Sequence, residues 1–175
     1  MTDLYITYSI RERYWVSKLV ESFESEGYSV WWDHAVIPGA DFRNESQLAL
    51  TQAGFSLVIW SDTAVDDHWV LVDCEQAKAR NALASVQVKD CNIPEAYKAL
   101  ELSDLKGWKI GDKEDVHFKN LLKTVQACVS PSQPPQSEKE QQELARLKRM
   151  KDEVERKQRQ REAREMQMLR QRTSA

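Results

Sequence analysis

The sequence predicts an α/β fold, a central parallel sheet covered on both faces by helices, with a long charged helix trailing it. Short β-rich runs alternate with segments of helical periodicity as far as Val129. One run, Gly54-Phe-Ser-Leu-Val-Ile-Trp60, is almost continuously apolar, as a strand buried on both faces of a parallel sheet requires. All five glycines and every aromatic residue precede residue 119, so the remainder has no material for a core of its own.

The elements follow in order. Asp3 to Tyr8 is a β-rich run, and after it Trp15, Leu19 and Phe23, flanked by Val16 and Val20, recur at helical spacing until Gly27 stops the helix. Tyr28 to Trp32 is a second strand, followed by the loop Asp33 to Asp41, in which Pro38-Gly39 is a turn signal. Asp41 is placed to cap a helix reaching about Ala53, the buried strand 54–60 follows, and a polar loop from Ser61 to Asp67 leads into a third helix from about His68 to Arg80. Ala84 to Val88 is a fourth strand, and a short fifth is expected around Ala99 to Leu102, after the break at Pro94. A last helix carries Phe118, Leu121, Leu122, Val125 and Val129 on one face. The expected organisation is a domain over 1–129, a Pro/Ser/Gln linker over 130–137 built around Pro131-Ser-Gln-Pro-Pro135, and a charged helix over 138–175.

With 175 residues, 41% of them hydrophobic, the chain is long enough for one core and too short for two full-size domains. The net charge of −3 conceals an asymmetry: residues 1–137 hold 13 Lys and Arg against 20 Asp and Glu, and residues 138–175 hold 12 against 8. No stretch approaches the roughly 20 apolar residues of a membrane span, and Met1 to Tyr8 lacks the regions of a signal peptide, so the expected location is cytoplasmic. Cys74, Cys91 and Cys128 are widely spaced, as are His34, His68 and His117, so neither a disulfide framework nor a metal site is expected.

The C-terminal segment is rich in helix formers and has no Gly or Pro from Glu138 to Arg172. Asp152/Arg156, Glu153/Lys157 and Glu155/Arg159 are acid-before-base pairs at i, i+4, each worth roughly 0.2–0.5 kcal/mol. Leu144, Leu147, Val154 and Leu169 form a seam broken by Lys151, Gln158 and Arg161, so coiled-coil pairing is weakly encoded and the segment reads as a solvated helix open to a partner. Nucleic acid is not an expected partner, because no aromatic residue is present in the segment to stack on bases.

In an open parallel sheet, ligands collect beyond the carboxyl ends of the strands, so the loops starting at Ser9, Asp33, Ser61 and Lys89 would surround a site. A dinucleotide fold of the dehydrogenase type is excluded, since no glycine occurs before Gly27. A phosphoacceptor receiver is excluded too: it needs acidic residues after the first strand and at the end of the third, where Tyr8-Ser9 and Trp60-Ser61 stand.

These same positions carry a resemblance. Tyr5-Ile-Thr-Tyr-Ser9, Gly27-Tyr-Ser-Val-Trp-Trp-Asp33 with Pro38-Gly-Ala-Asp-Phe42, Leu57-Val-Ile-Trp-Ser61, Trp69-Val70 and Leu102-Ser-Asp-Leu-Lys-Gly-Trp108 together resemble a Toll/interleukin-1 receptor (TIR) domain of the bacterial type. The resemblance implies a flavodoxin-like three-layer fold with a five-stranded parallel sheet of order 2-1-3-4-5. It also implies one of two functions in signalling or immunity: an NAD glycohydrolase that cleaves the nicotinamide–ribose bond once monomers self-assemble, or a catalytically impaired scaffold making homotypic TIR–TIR contacts. NAD, or a related dinucleotide, would be substrate rather than cofactor.

In the enzymatic members a glutamate lies four residues after the tryptophan of the third helix; here that position is Asp73, one methylene shorter. Its implied role is to orient the ribose and stabilise positive charge in an oxocarbenium-like transition state. Glu75 lies about 200° away around the helix and points elsewhere. The resemblance further marks Tyr8 and Ser9 after the first strand, Asp33, Pro38, Gly39 and Phe42 in and after the second loop, and Trp69 at the helix start as substrate-binding residues. Phe42 and Trp32 are expected to wall the nicotinamide or adenine ring, Gly39 to admit close backbone approach, and Ser9 to hydrogen-bond phosphate or ribose.

Overall fold

The computed structural model describes residues 2–32 and 42–133, together with Arg146 and Met150 of the C-terminal segment. The chain divides into two units, 1–135 and 136–175. The first contains a five-stranded parallel sheet of β1 (Leu4–Tyr8), β2 (Val30–Trp31), β3 (Phe55–Trp60), β4 (Leu83–Gln87) and β5 (Leu102–Asp104), in the order β2-β1-β3-β4-β5. The connecting helices are α1 (Arg13–Ser25), α2 (Phe42–Gln52) and α3 (His68–Ala79), and α4 (Val116–Cys128) follows the sheet. Short 3-10 turns at Ile10–Glu12, Ala64–Asp66 and Glu95–Tyr97 fill the connections. The order 2-1-3-4-5 and the flavodoxin-like layering therefore match expectation. The charged helix and coiled-coil expectation for 138–175 falls, apart from helical Arg146 and Met150, outside the described residues.

Strand alternation sorts the core into two layers. Leu4 and Ile6 of β1, Leu57 and Ile59 of β3 and Val86 of β4 pack with Val16, Leu19, Val20 and Phe23 of α1 and with Phe118, Leu121 and Val125 of α4. Tyr5, Val58, Trp60 and Leu83 pack on the other side with Ala49 and Leu50 of α2 and with Val70, Cys74 and Ala77 of α3. In each helix the buried residues recur at i, i+3 or i+4 and i+7, the stripe that one face of a helix lays on a sheet.

The second and fifth strands differ from the expected boundaries, for reasons of backbone hydrogen bonding. Gly27, at φ +89°, ends α1, and the N–H groups of Gly27 and Tyr28 close onto the carbonyls of Glu24 and Phe23. Tyr28 N–H is thereby used up by the helix cap, and β2 is reduced to Val30–Trp31. Similarly, Pro94 opens the turn Glu95–Tyr97 and Leu100 N–H bonds the Tyr97 carbonyl, so Ala99 and Leu100 belong to that turn and pairing starts at Leu102. Val129, expected on α4, is extended and follows its last residue.

The segment after α4 is tied to the domain through Asp3. One oxygen of that carboxylate accepts hydrogen bonds from Ser29 N–H at 2.8 Å, Ser132 N–H at 3.1 Å and Ser132 Oγ at 2.7 Å. Gln133 N–H also donates to the Gly27 carbonyl at 3.1 Å. Burial acts to raise the Asp3 pKa, but the hydrogen bonds from Ser29 and Ser132 outweigh it and hold the carboxyl below its ordinary value of 3.8. The stabilisation from this ionised carboxylate is therefore complete above pH 3.8 and lost as pH falls through the lowered value.

A chain ended after Gln133 should keep the Tm of the full chain, whereas ending it after Ser130, or Asp3→Ala, should cost about 1–3 kcal/mol and several degrees in Tm by thermal denaturation. Equal Tm values for the two truncations would contradict the role given to Ser132.

Candidate functional site

The site grows out of a departure from the apolar stripe on α3. Val70, Cys74 and Ala77 are buried against the sheet, and Asp73 occupies the same face, only 6% exposed. The helix is set by Asp67, whose side chain accepts from the N–H groups of Trp69 at 3.0 Å and Val70 at 3.4 Å. One turn further on, Asp73 faces β1. A carboxylate in a core position loses several kcal/mol of hydration unless it finds donors.

Alternation on β1 supplies them. Leu4 and Ile6 point to the α1 and α4 layer, which leaves Tyr5 and Thr7 facing α3. Tyr5 Oη donates to Asp73 Oδ2 at 2.9 Å, and Thr7 Oγ1 donates to the same oxygen at 3.0 Å. Tyr5 Oη also pairs with Ser46 Oγ of α2 at 2.7 Å. Tyr5 is held flat on Trp31, with ring centroids 4.9 Å apart and planes inclined by 4°.

Arg43, in the first turn of α2, places Nη1 3.9 Å from Asp73 Oδ1. That is a charge interaction beyond hydrogen-bond length. Its guanidinium carbon sits 3.4 Å from the centre of the Trp69 ring, a cation–π contact. Burial pushes the Asp73 pKa up; the hydrogen bonds from Tyr5 and Thr7 and the charge of Arg43 oppose this, Asp67 adds to it, and the net shift is upward. Burial and the neighbouring carboxylate push the Tyr5 phenol far above its usual range, so it acts as a fixed proton donor to Asp73.

These side chains surround a cavity of about 280 Å³ over the carboxyl end of β1, lined also by Tyr8, Ile10 and Val70. Tyr8, Trp69 and Asp73 of the expected residues are thus brought together. Trp69 is half exposed at the mouth rather than in the core, and Glu75 is exposed away from the cavity.

Two expected residues are placed elsewhere. Trp32 packs with Tyr8 on the α1 and α4 layer, ring centroids 6.4 Å apart, and it is Trp31 that lines the cavity. The reason is strand alternation: neighbouring residues face opposite sides. Ser9 is buried beneath the turn that follows β1, where its carbonyl accepts from Glu12 N–H at 2.8 Å, and it does not line the cavity. Asp33, Pro38 and Gly39 lie outside the described residues, as does the side chain of Phe42, the residue that opens α2.

Tyr5, Thr7, Trp31, Arg43 and Ser46 were not among the expected site residues. A sequence signal for them exists in the stripes: Arg43, Ser46 and Leu50 recur at i, i+3, i+7 on α2, and two hydroxyls alternate with apolar residues on β1. Beyond the neighbouring strand ends, Lys89 Nζ bonds Glu12 Oε1 at 2.8 Å and stands 3.8 Å from Asp62. Among the described residues no group of three or more His, Cys, Asp or Glu side chains could hold a metal ion, and no helix is long and apolar enough to cross a membrane.

Folding raises the Asp73 pKa above 3.8, so the ionised native state carries a penalty that is complete above the raised pKa and disappears as pH falls to 3.8. Asp73→Asn, which keeps an acceptor for Tyr5 and Thr7, should therefore raise Tm near neutral pH, with the gain shrinking toward zero on acidification. A loss of Tm that is the same at both ends of the pH range would oppose this account.

Comparison with known proteins bears on the same region. The chain matches the TIR domain family over residues 4–122. Among solved structures it is similar to the TIR domain of the Toll-related receptor TRR-2 of Hydra magnipapillata, with TM-score 0.60 and 18% identity over 72% of this chain and 99% of that one. It is also similar to the TIR domains of the activated Roq1 resistosome, which directly recognizes the pathogen effector XopQ, with TM-score 0.54 and 15% identity over 71% of this chain and 99% of that one. At these identities the likeness is one of fold. No curated protein matches the chain in sequence. The match to the family model spans more than half of the chain and includes the strands and helices that build the cavity: the chain belongs to the TIR domain family.

Proposed function

We propose that the chain is an NAD glycohydrolase acting through Asp73. The observation that carries this reading is a carboxylate kept in a helix face that otherwise packs apolar groups, and lining a cavity at the carboxyl end of the sheet. In the reaction the bond between C1′ of the ribose and the nicotinamide nitrogen breaks, and the electron pair leaves with nicotinamide. Water supplies the oxygen that bonds C1′ and releases one proton, giving ADP-ribose. Positive charge builds on the ribose as the bond breaks. Tyr5 and Thr7 fix Oδ2, which leaves Oδ1 to accept from a ribose hydroxyl and to stabilise that charge. Tyr8, Trp31 and Trp69 offer aromatic surface to the bases.

Self-association through TIR–TIR contacts belongs to the same proposal. Ile10 and Trp69 expose apolar surface at the cavity mouth, which a second copy could cover while completing the site. Signalling or immunity is the proposed setting and the cytoplasm the proposed location. A scaffold without catalysis is the second reading, and one observation favours it: Oδ2 of Asp73 is occupied by two hydrogen bonds on a side chain one methylene shorter than glutamate.

Incubation of the chain with NAD at high protein concentration, followed by chromatography, should show nicotinamide release that falls at least about 100-fold in Asp73→Asn and is kept or raised in Asp73→Glu. Release by Asp73→Glu and none by wild type would select the scaffold with an impaired site, as would silence from all three with concentration-dependent self-association intact.

A further inference from the structure

We infer that Arg43 is the anion-binding residue of this cavity, and that it takes the diphosphate of a nucleotide ligand. The inference deepens the proposal of a dinucleotide substrate and rests on that reading for the identity of the anion.

Three features of the geometry carry it. First, the guanidinium carbon sits over the Trp69 ring at 3.4 Å from its centre, a cation–π contact that helps to position the planar fork in advance of any ligand. Second, among the described residues its guanidinium has no acceptor within hydrogen-bond distance: the nearest acidic oxygen there, Asp73 Oδ1, is 3.9 Å from Nη1. Third, the side chain lines the 280 Å³ cavity and is about one-third exposed, so a ligand can reach it. An arginine stacked on an aromatic ring in a cavity wall suits bidentate pairing with two phosphate oxygens.

The pairing with Asp73 narrows the ligand. A lone inorganic anion would meet the Asp73 carboxylate a few ångströms beyond the guanidinium and be repelled by it. A sugar phosphate presents hydroxyl donors and anionic oxygens at different ends of one ring, so a carboxylate and a guanidinium side by side satisfy both. The diphosphate-linked ribose of ADP-ribose has this pattern.

The test is binding rather than turnover. Isothermal titration calorimetry of the full chain with ADP-ribose, and in parallel with adenosine, should give a complex with ADP-ribose that is stronger than with adenosine and weakens as salt is raised. Arg43→Gln should weaken ADP-ribose at least about tenfold and leave adenosine unchanged. Arg43→Lys should recover part of the loss, because the charge returns without the fork. Equal affinity for ADP-ribose in wild type and Arg43→Gln, or no preference for ADP-ribose over adenosine, overturns the inference. Arg43-dependent binding of ADP-ribose in a chain that releases no nicotinamide from NAD would refute the hydrolase and leave the anion site standing.

Discussion

The packing of α3 on β1 is organised around a buried charge. Asp73 replaces an apolar residue in the stripe that runs from Val70 to Ala77, and the strand beneath it presents two hydroxyls to receive it. Each hydrogen bond to a charged acceptor is worth roughly 1.5–3 kcal/mol, and two of them approach but do not exceed the cost of stripping water from a carboxylate. The upward shift of the Asp73 pKa is the residue of that imbalance. Neighbouring contacts follow from it. Tyr5 must hold its hydroxyl toward α3, so its ring lies on Trp31 and its oxygen on Ser46; Arg43 supplies the nearest positive charge and is steadied by Trp69.

The rest of the domain is conventional around that constraint. β3 is buried along its whole length and pairs with β1 and β4, so the central strands fix the register on which β1 sits. Two helix ends are closed by residues in the left-handed region, Gly27 after α1 and Asn81 after α3, and both place the next strand within a few residues of the cap. Arg80 spans from the end of α3 to the carbonyls of Leu50 and Ala53 at the end of α2, which keeps the two helices that frame the cavity in fixed relation. Asp3, at the start of β1, performs the same service by gathering the start of β2 and the chain after α4.

A site of this kind departs from the pattern that specifies the fold. Stability alone would place a small apolar residue at position 73 and would not stack a guanidinium in a cavity wall 3.9 Å from the nearest described carboxylate oxygen. The fold tolerates both because the polar groups sit at one end of the sheet, where the cavity admits water and ligand, while the interior of each layer stays apolar.

By itself the sequence determined the alternation of strand and helix, a central buried strand expected at 54–60 and the parallel sheet, and, through the resemblance of its ordered motifs, the strand order. The alternation, the buried strand and the parallel sheet are properties of period and composition, while the strand order is what the resemblance implies, and all of them survive without knowledge of contacts. Tertiary structure decided what surrounds Asp73. That Trp31 rather than Trp32 faces the cavity depends on strand register, and a shift of one residue reverses it. That Ser9 is spent inside a turn depends on where the chain leaves β1. Tyr5, Thr7, Ser46 and Arg43 read in sequence as ordinary strand and helix residues, because the feature that makes them a site is the meeting of three separate elements around one carboxylate.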